Sequence, residues 1–303
     1  MNNVMAISGI VVKELYRRKD FYVLFVLTAL ITLLLGSVSF FNDAKIVRYL
    51  KEVCLLLIWI SSLVIAIGTA ARQIPAERES RTIFPLLAKP VTRGQFIMGK
   101  FLGCWLACGV ALAVFYLFFG VVSESRGGRN ASSAELSSAA ATVGTEAANQ
   151  VDDHDHAGDG IEHHDEHAVL GHRSVVMNYV QALWLHWMML GVVTAMVLLG
   201  SVVLSAPSVS VTISFIGIVG ILLLGEHLNK VALRQPQPLQ AILYTGYFLI
   251  PHLEWFDIRD RVIYDQPPIP FADGGLATLY AIAYTGLFLF LTWFVFRRKA
   301  LTL

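Results

Sequence analysis

The chain has 303 residues, 56% of them hydrophobic and only 15% charged, with a formal net charge of +1. Soluble domains run nearer about 45–50% apolar and about 25% charged. The excess falls in blocks almost free of charge, which leaves room for one integral membrane domain over 1–303 and for no large soluble domain, and the balanced charge carries no nucleic-acid signal.

Residues 3–19 come first. Val4, Ile7, Val11, Val12 and Leu15 recur at helical spacing, and Lys13, Arg17, Arg18 and Lys19 close the segment. It is too short and too basic to span, and it has no small-residue cleavage site, so it reads as an amphipathic helix lying on the cytoplasmic surface. Spans are predicted over 21–41, 53–71, 101–122, 177–204, 209–225 and 276–296, six in all. A crossing needs about 20 apolar residues for about 30 Å of hydrocarbon. The fifth is short and carries Gly217, Gly220 and Gly225, which suits close packing or tilt, and Ala206-Pro207 marks the turn before it. Cys54, Cys104 and Cys108 all lie within apolar runs and read as small buried hydrophobes, with no disulfide framework implied.

Orientation follows from Lys and Arg. The N-terminal segment, the 72–100 loop (Arg72, Arg78, Arg81, Lys89, Arg93, Lys100) and the terminal Arg297-Arg298-Lys299 share one side, and their charge makes it the cytoplasm. Both termini are then cytoplasmic. Lys45, Arg48 and Lys51 fall on the opposite side and are a local conflict with that rule. The loop 123–175 holds ten acidic residues against Arg126, Arg129 and Arg173, which suits the outside.

That loop carries His154, His156, His163, His164 and His167 among carboxylates. Imidazole with carboxylate suits Zn or Cu, and His163 and His167 would share a face if helical. The order H-x-x-E-H also occurs there, but catalytic zinc needs rigid ligands and a second ligand-orienting layer, so the alternatives are a solvated low-complexity tract and an external metal collector. His186 lies between Trp184 and Trp187 and reads as interfacial packing. No span has an acidic residue at its centre, which argues against a proton- or sodium-coupled carrier.

Residues 226–275 are rich in proline and do not span. Leu239 to Ile250 has the length of a re-entrant or interfacial segment, and HLEWFDIRDRV follows it with Trp255 and Phe256 as interface anchors. Gly94 to Lys100 matches most of a phosphate-binding loop. Phe101, however, stands where a Mg²⁺-coordinating hydroxyl belongs, and Phe96, Ile97 and Met98 are too bulky for a phosphate cradle. Lys100 reads instead as an interfacial lysine reaching toward lipid phosphates. The chain carries no recognisable ATPase motif.

The segment ERESRTIFPLLAKPVTRGQFIMGKFLG, Glu77 to Gly103, has an order that a random connector does not need. It resembles the membrane subunits of type-2 ABC exporters, many of which carry after the second span an acidic residue, Gly or Arg with Thr, two leucines, Lys-Pro, an Arg, and Gly-Lys at the start of the third span. The resemblance implies an all-α integral membrane protein with six transmembrane helices. It also implies an N-terminal elbow helix at 3–19, a cytoplasmic coupling loop at 72–100 and external re-entrant helices before the last span. Glu77, Glu79, Arg81, Thr82, Leu86, Leu87, Lys89 and Arg93 would then contact an ABC ATPase subunit, which binds ATP and Mg. A second permease copy and the lipid of the cytoplasmic membrane complete the implied partners. Two other readings differ in class: metal handling through the 123–175 loop, and an assembly subunit that moves no substrate.

Overall fold

The computed structural model describes residues 2–17, 19–37, 44–79, 92–146, 162–204, 206–232, 236, 240, 245, 250–264 and 266–299, and over 122–146 and 162–174 it describes the backbone alone. The described residues form helices joined by short turns. They are α1 (Asn2–Tyr16), α2 (Lys19–Ser37), α3 (Ala44–Ala70), α4 (Gln73–Glu79), α5 (Arg93–Glu146), α6 (Glu162–Val203), α7 (Pro207–Ala232), α8 (Arg259–Ile263) and α9 (Phe271–Lys299), with a 3-10 turn at Leu253–Phe256. Among the described residues, four stretches are long and apolar enough to cross a membrane, against six predicted: Lys51–Glu79, Arg93–Val121, Val175–Val203 and Phe271–Arg298. Tyr22–Ile31 and Pro207–Leu223 are shorter apolar helices.

Three segment boundaries differ from the sequence-based expectation. The 72–100 loop is partly helical, because α4 occupies its start and α5 begins at Arg93. Thr92 and Gln95 explain the early start of α5. The Gln95 amide donates to Thr92 Oγ1 at 3.3 Å and the Thr92 amide to Gln95 Oε1 at 3.1 Å, a reciprocal capping box. Within 123–175, α5 continues to Glu146 and α6 starts at Glu162, since an alanine-rich run favours helix. At the other end, α7 runs to Ala232, well into the 226–275 segment.

Helix α6 sits at the centre and touches α3, α4, α5, α7 and α9. Its Met189, Leu190, Val192, Val193, Ala195 and Leu198 are fully buried. A repeated Trp-x-x-x-Gly unit joins it to α5. Trp105 and Trp187 stack with ring centroids 4.6 Å apart and planes 14° apart. Each indole N–H donates to the other tryptophan's backbone carbonyl, Trp105 at 3.0 Å and Trp187 at 3.3 Å. Each ring also covers the glycine one turn beyond its partner. A Cβ on Gly109 would come within 2.4 Å of Trp187, and one on Gly191 within 3.0 Å of Trp105. The glycines admit the rings, and the exchanged hydrogen bonds satisfy both indoles inside an apolar interface.

Helix α1 packs along the base of α5 through a second small-residue pair. A Cβ on Gly99 would meet Ile7 at 2.8 Å, and one on Gly103 would meet Val11 at 2.6 Å. This G-x-x-x-G spacing lets two helix backbones approach closely. It also gives the glycine of the Gly-Lys pair a packing role. All three cysteines are buried and none is in a disulfide, as their apolar surroundings predict.

The segment before α9 is held by side chains of α6. Pro267, Pro268 and Pro270 have no backbone N–H, so Ile269 carries the lone backbone donor of 267–270. That N–H donates to Gln181 Oε1 at 2.9 Å while Gln181 Nε2 donates back to the Ile269 carbonyl at 2.9 Å. Asn178 donates to the Gln266 carbonyl at 2.6 Å. Trp255 is exposed as an interface anchor should be, but Phe256 is 2% exposed and belongs to the core. The 3-10 turn places these neighbours on opposite sides. Of the apolar stretch 239–250, only Gln240, Thr245 and Ile250 are described.

Candidate functional site

The base of the bundle gathers the polar groups that flank residues 80–91. Glu77, Glu79 and Arg93 are described there, whereas Arg81, Thr82, Leu86, Leu87 and Lys89 lie outside the described residues. Lys100 is 3% exposed and does not reach toward lipid. Its Nζ lies 2.5 Å from Glu77 Oε1 and 3.0 Å from Gln73 Oε1, with the Phe96 ring 5.9 Å away. This corrects the interfacial reading. The lysine projects from α5 toward α4, and the packing of α1 against the glycines beside it closes that region. A buried ammonium requires an opposing charge, and Glu77 from the preceding segment supplies it. Glu77 therefore joins the two helix ends that bracket 80–91.

Two arginines tie these ends to the rest of the bundle. Arg78 Nη1 donates to the Val202 carbonyl at 3.4 Å, near the end of α6. Arg93 Nη1 donates to the Arg297 carbonyl at 3.1 Å, near the end of α9. Terminal carbonyls of a helix lack intrahelical donors and carry partial negative charge, so a guanidinium there is favourable on both counts. Hydrogen bonds and an ion pair thereby connect α4 and α5 to each other and to α6 and α9. Glu79, by contrast, is exposed at the end of α4.

A second polar cluster lies deeper. His186 is 4% exposed, so it is a buried group and not an interfacial one. Its Nε2 is 2.8 Å from Ser62 Oγ and its Nδ1 is 3.4 Å from the Tyr116 hydroxyl. Neighbouring Ser61 pairs with Thr28 at 2.9 Å, which links α2 to α3. The sequence signal for this cluster is the Ser61-Ser62 pair inside an apolar run, which reading the spans by charge alone passes over.

At the opposite end of α3 from Glu77, cations meet aromatic rings. Arg259 lies 5.0 Å from the Trp59 ring and is paired to Asp257 at 2.6 Å, and Arg48 lies 5.2 Å from the Tyr264 ring. Burial works against the Arg259 charge, but the hydrogen bonds and charge of Asp257, with Asp260 nearby, outweigh it and raise the guanidinium pKa above its ordinary value. The Arg48 contact gives one of the cations in the first predicted external loop a local partner.

Of the histidines in the 123–175 stretch, His154 and His156 lie outside the described residues. His163, His164 and His167 stand on helical backbone at the start of α6. Among the described residues, no cluster of three or more His, Cys, Asp or Glu could hold a metal ion.

Residues 24–148 match the family model described as ABC-2 family transporter protein. No curated protein matches the chain. The matched stretch runs from α2 past the Glu77–Lys100 pair and along α5, and it contains the motif order noted in the sequence. Over this stretch the chain is similar to type-2 ABC transporter permeases, and its long apolar helices make it a multi-pass membrane protein.

Proposed function

We propose that this chain is the transmembrane subunit of an ABC exporter, with six spans and with both termini on the cytoplasmic face of the cytoplasmic membrane. Two copies and two separate ATPase subunits form the working complex, and the segment bracketed by α4 and α5 docks on the ATPase. Helix α1 serves as the elbow, and the segment around Leu253–Ile263 belongs to the external re-entrant region. The observation that carries this reading is the buried Lys100–Glu77 pair inside the family-matched stretch. With Arg78 and Arg93 on the ends of α6 and α9, it makes the base of the bundle a unit that can receive mechanical work from outside the chain. The ATPase dimer closes on ATP, and the docked segment turns that closure into a rotation of spans. Charges on the docking surface set register more than affinity.

The test separates docking from folding. Glu77→Ala would strand the Lys100 charge, at a cost of about 3–5 kcal/mol, so its loss of activity would be ambiguous. Glu79→Arg combined with Arg81→Glu leaves that pair intact. The expected result is a bundle that elutes as a single species, no longer copurifies with a coexpressed soluble ABC ATPase, and loses ATP-dependent transport. A double variant that still binds the ATPase and transports at the wild-type rate would overturn the docking assignment.

A further inference from the structure

A cavity of about 290 Å³ opens beneath α1, between α2, α3, α5 and α7. It lies just below the range of about 300–1,000 Å³ in which small-molecule sites fall. Its walls are almost wholly apolar, and Arg72 and Thr69 stand at one end. From Val64 on α3 to Arg72 in the turn just beyond it the lining advances eight residues, about 12 Å at the helical rise. Water gains nothing from such walls, which offer too few polar partners to hold it.

The rim shows where an occupant comes from. Tyr16, Val110 and Phe215 line the cavity and are 71%, 63% and 45% exposed. They stand on exposed faces of α1, α5 and α7, at the level where the apolar spans meet the surface helix. The opening is therefore lateral, into lipid, and the cationic end lies at the α4 side of the bundle.

Gly68 lines the same cavity, and a Cβ built on it meets nothing within 4 Å. Glycine inside a helix is less favourable than alanine, and no neighbouring backbone requires it at this position. Its effect is to keep the wall open. Gly99, Gly103, Gly109 and Gly191 are filled by a neighbouring side chain, and the other open glycines, such as Gly286, do not line this cavity.

From these observations we infer that the cavity is a binding site for an acyl chain of an anionic membrane lipid, drawn from the leaflet on the α1 side, with its phosphate on Arg72. The apolar channel accepts the chain, and the guanidinium matches a phosphate in charge and in fork geometry. The site is independent of the transport reading, because the lipid is held whether or not the chain moves a substrate.

The experiment is native mass spectrometry of the full-length protein released from nanodiscs of equal phosphatidylglycerol and phosphatidylcholine. The wild-type protein should retain phosphatidylglycerol over phosphatidylcholine by about tenfold, the scale of one charge-assisted contact. Arg72→Gln should keep chain binding and lose that preference. Gly68→Leu should lose both lipids, with helical content and elution volume unchanged. Equal retention of both lipids by the wild-type protein, or full preference in Arg72→Gln, would remove the phosphate assignment. A folded Gly68→Leu protein that still holds phosphatidylglycerol would show that the chain lies elsewhere.

Discussion

The apolar stretches of α6 and α9 are nearly the same length, Val175–Val203 and Phe271–Arg298, and both have a mean hydropathy of 1.9. Yet 72% of the apolar window of α6 is buried within the chain against 17% of that of α9. Transfer from water into hydrocarbon is equally favourable for the two, so hydropathy cannot tell them apart. What differs is the surface each offers to a neighbour. Helix α6 carries Trp187 and Gly191 for its exchange with α5, and Gln181 and Asn178 to hold the proline-rich backbone before α9. Helix α9 leans on α6 and α5 and turns Leu276, Leu279, Ile282, Phe290 and Phe294 outward. In lipid, burial against another helix is decided by fit and by hydrogen bonds and not by apolarity.

Matched substitutions in the two helices test that contrast. Leu190→Ala should have the largest effect, about 2–5 kcal/mol, because a fully buried leucine leaves a void in α6. Leu279→Ala on α9, 65% exposed, should stay within about 0.5 kcal/mol. Thermal unfolding in one detergent measures both, and equal shifts would dissolve the distinction. Next comes Gly109→Leu, which forces Trp187 out of its stack and should cost about 1–3 kcal/mol, with tryptophan fluorescence reporting the broken ring pair. Gly286→Leu on α9 meets nothing within 4 Å and should leave the fluorescence unchanged. The smallest effect is expected where the two helices are tied together. Gln181→Leu removes both hydrogen bonds to Ile269 and should cost about 1 kcal/mol, seen as faster amide exchange at Ile269 and not as global unfolding.

Much of the bundle was legible in the order of residues. Among the described residues, four of the six predicted spans fall on helices long enough to cross a membrane and the first and fifth on shorter apolar helices, and the motif from Glu77 to Lys100 lies within the stretch that matches the family model. Helix ends were less legible, since the start of α5 depends on the Thr92–Gln95 box and the long continuation of α5 on local propensity. The role of Lys100 was not legible at all. A lysine at the edge of an apolar run looks the same whether it reaches for lipid or for a carboxylate more than twenty residues earlier. His186 and Phe256 were misplaced for a related reason: depth is a property of the neighbours, and a linear pattern does not name them.

The sequence by itself determined that this chain is an all-helical membrane protein, because the free energy of placing apolar residues in hydrocarbon is local and additive along a helix. It also determined where the basic segment lies, since charge is excluded from that same medium. Tertiary structure decided which span is central, which glycines are filled by a neighbour, and that Lys100 and Glu77 form one buried pair. Those outcomes rest on shape and on hydrogen-bond geometry between residues far apart in the chain, and both exist only once the helices have met.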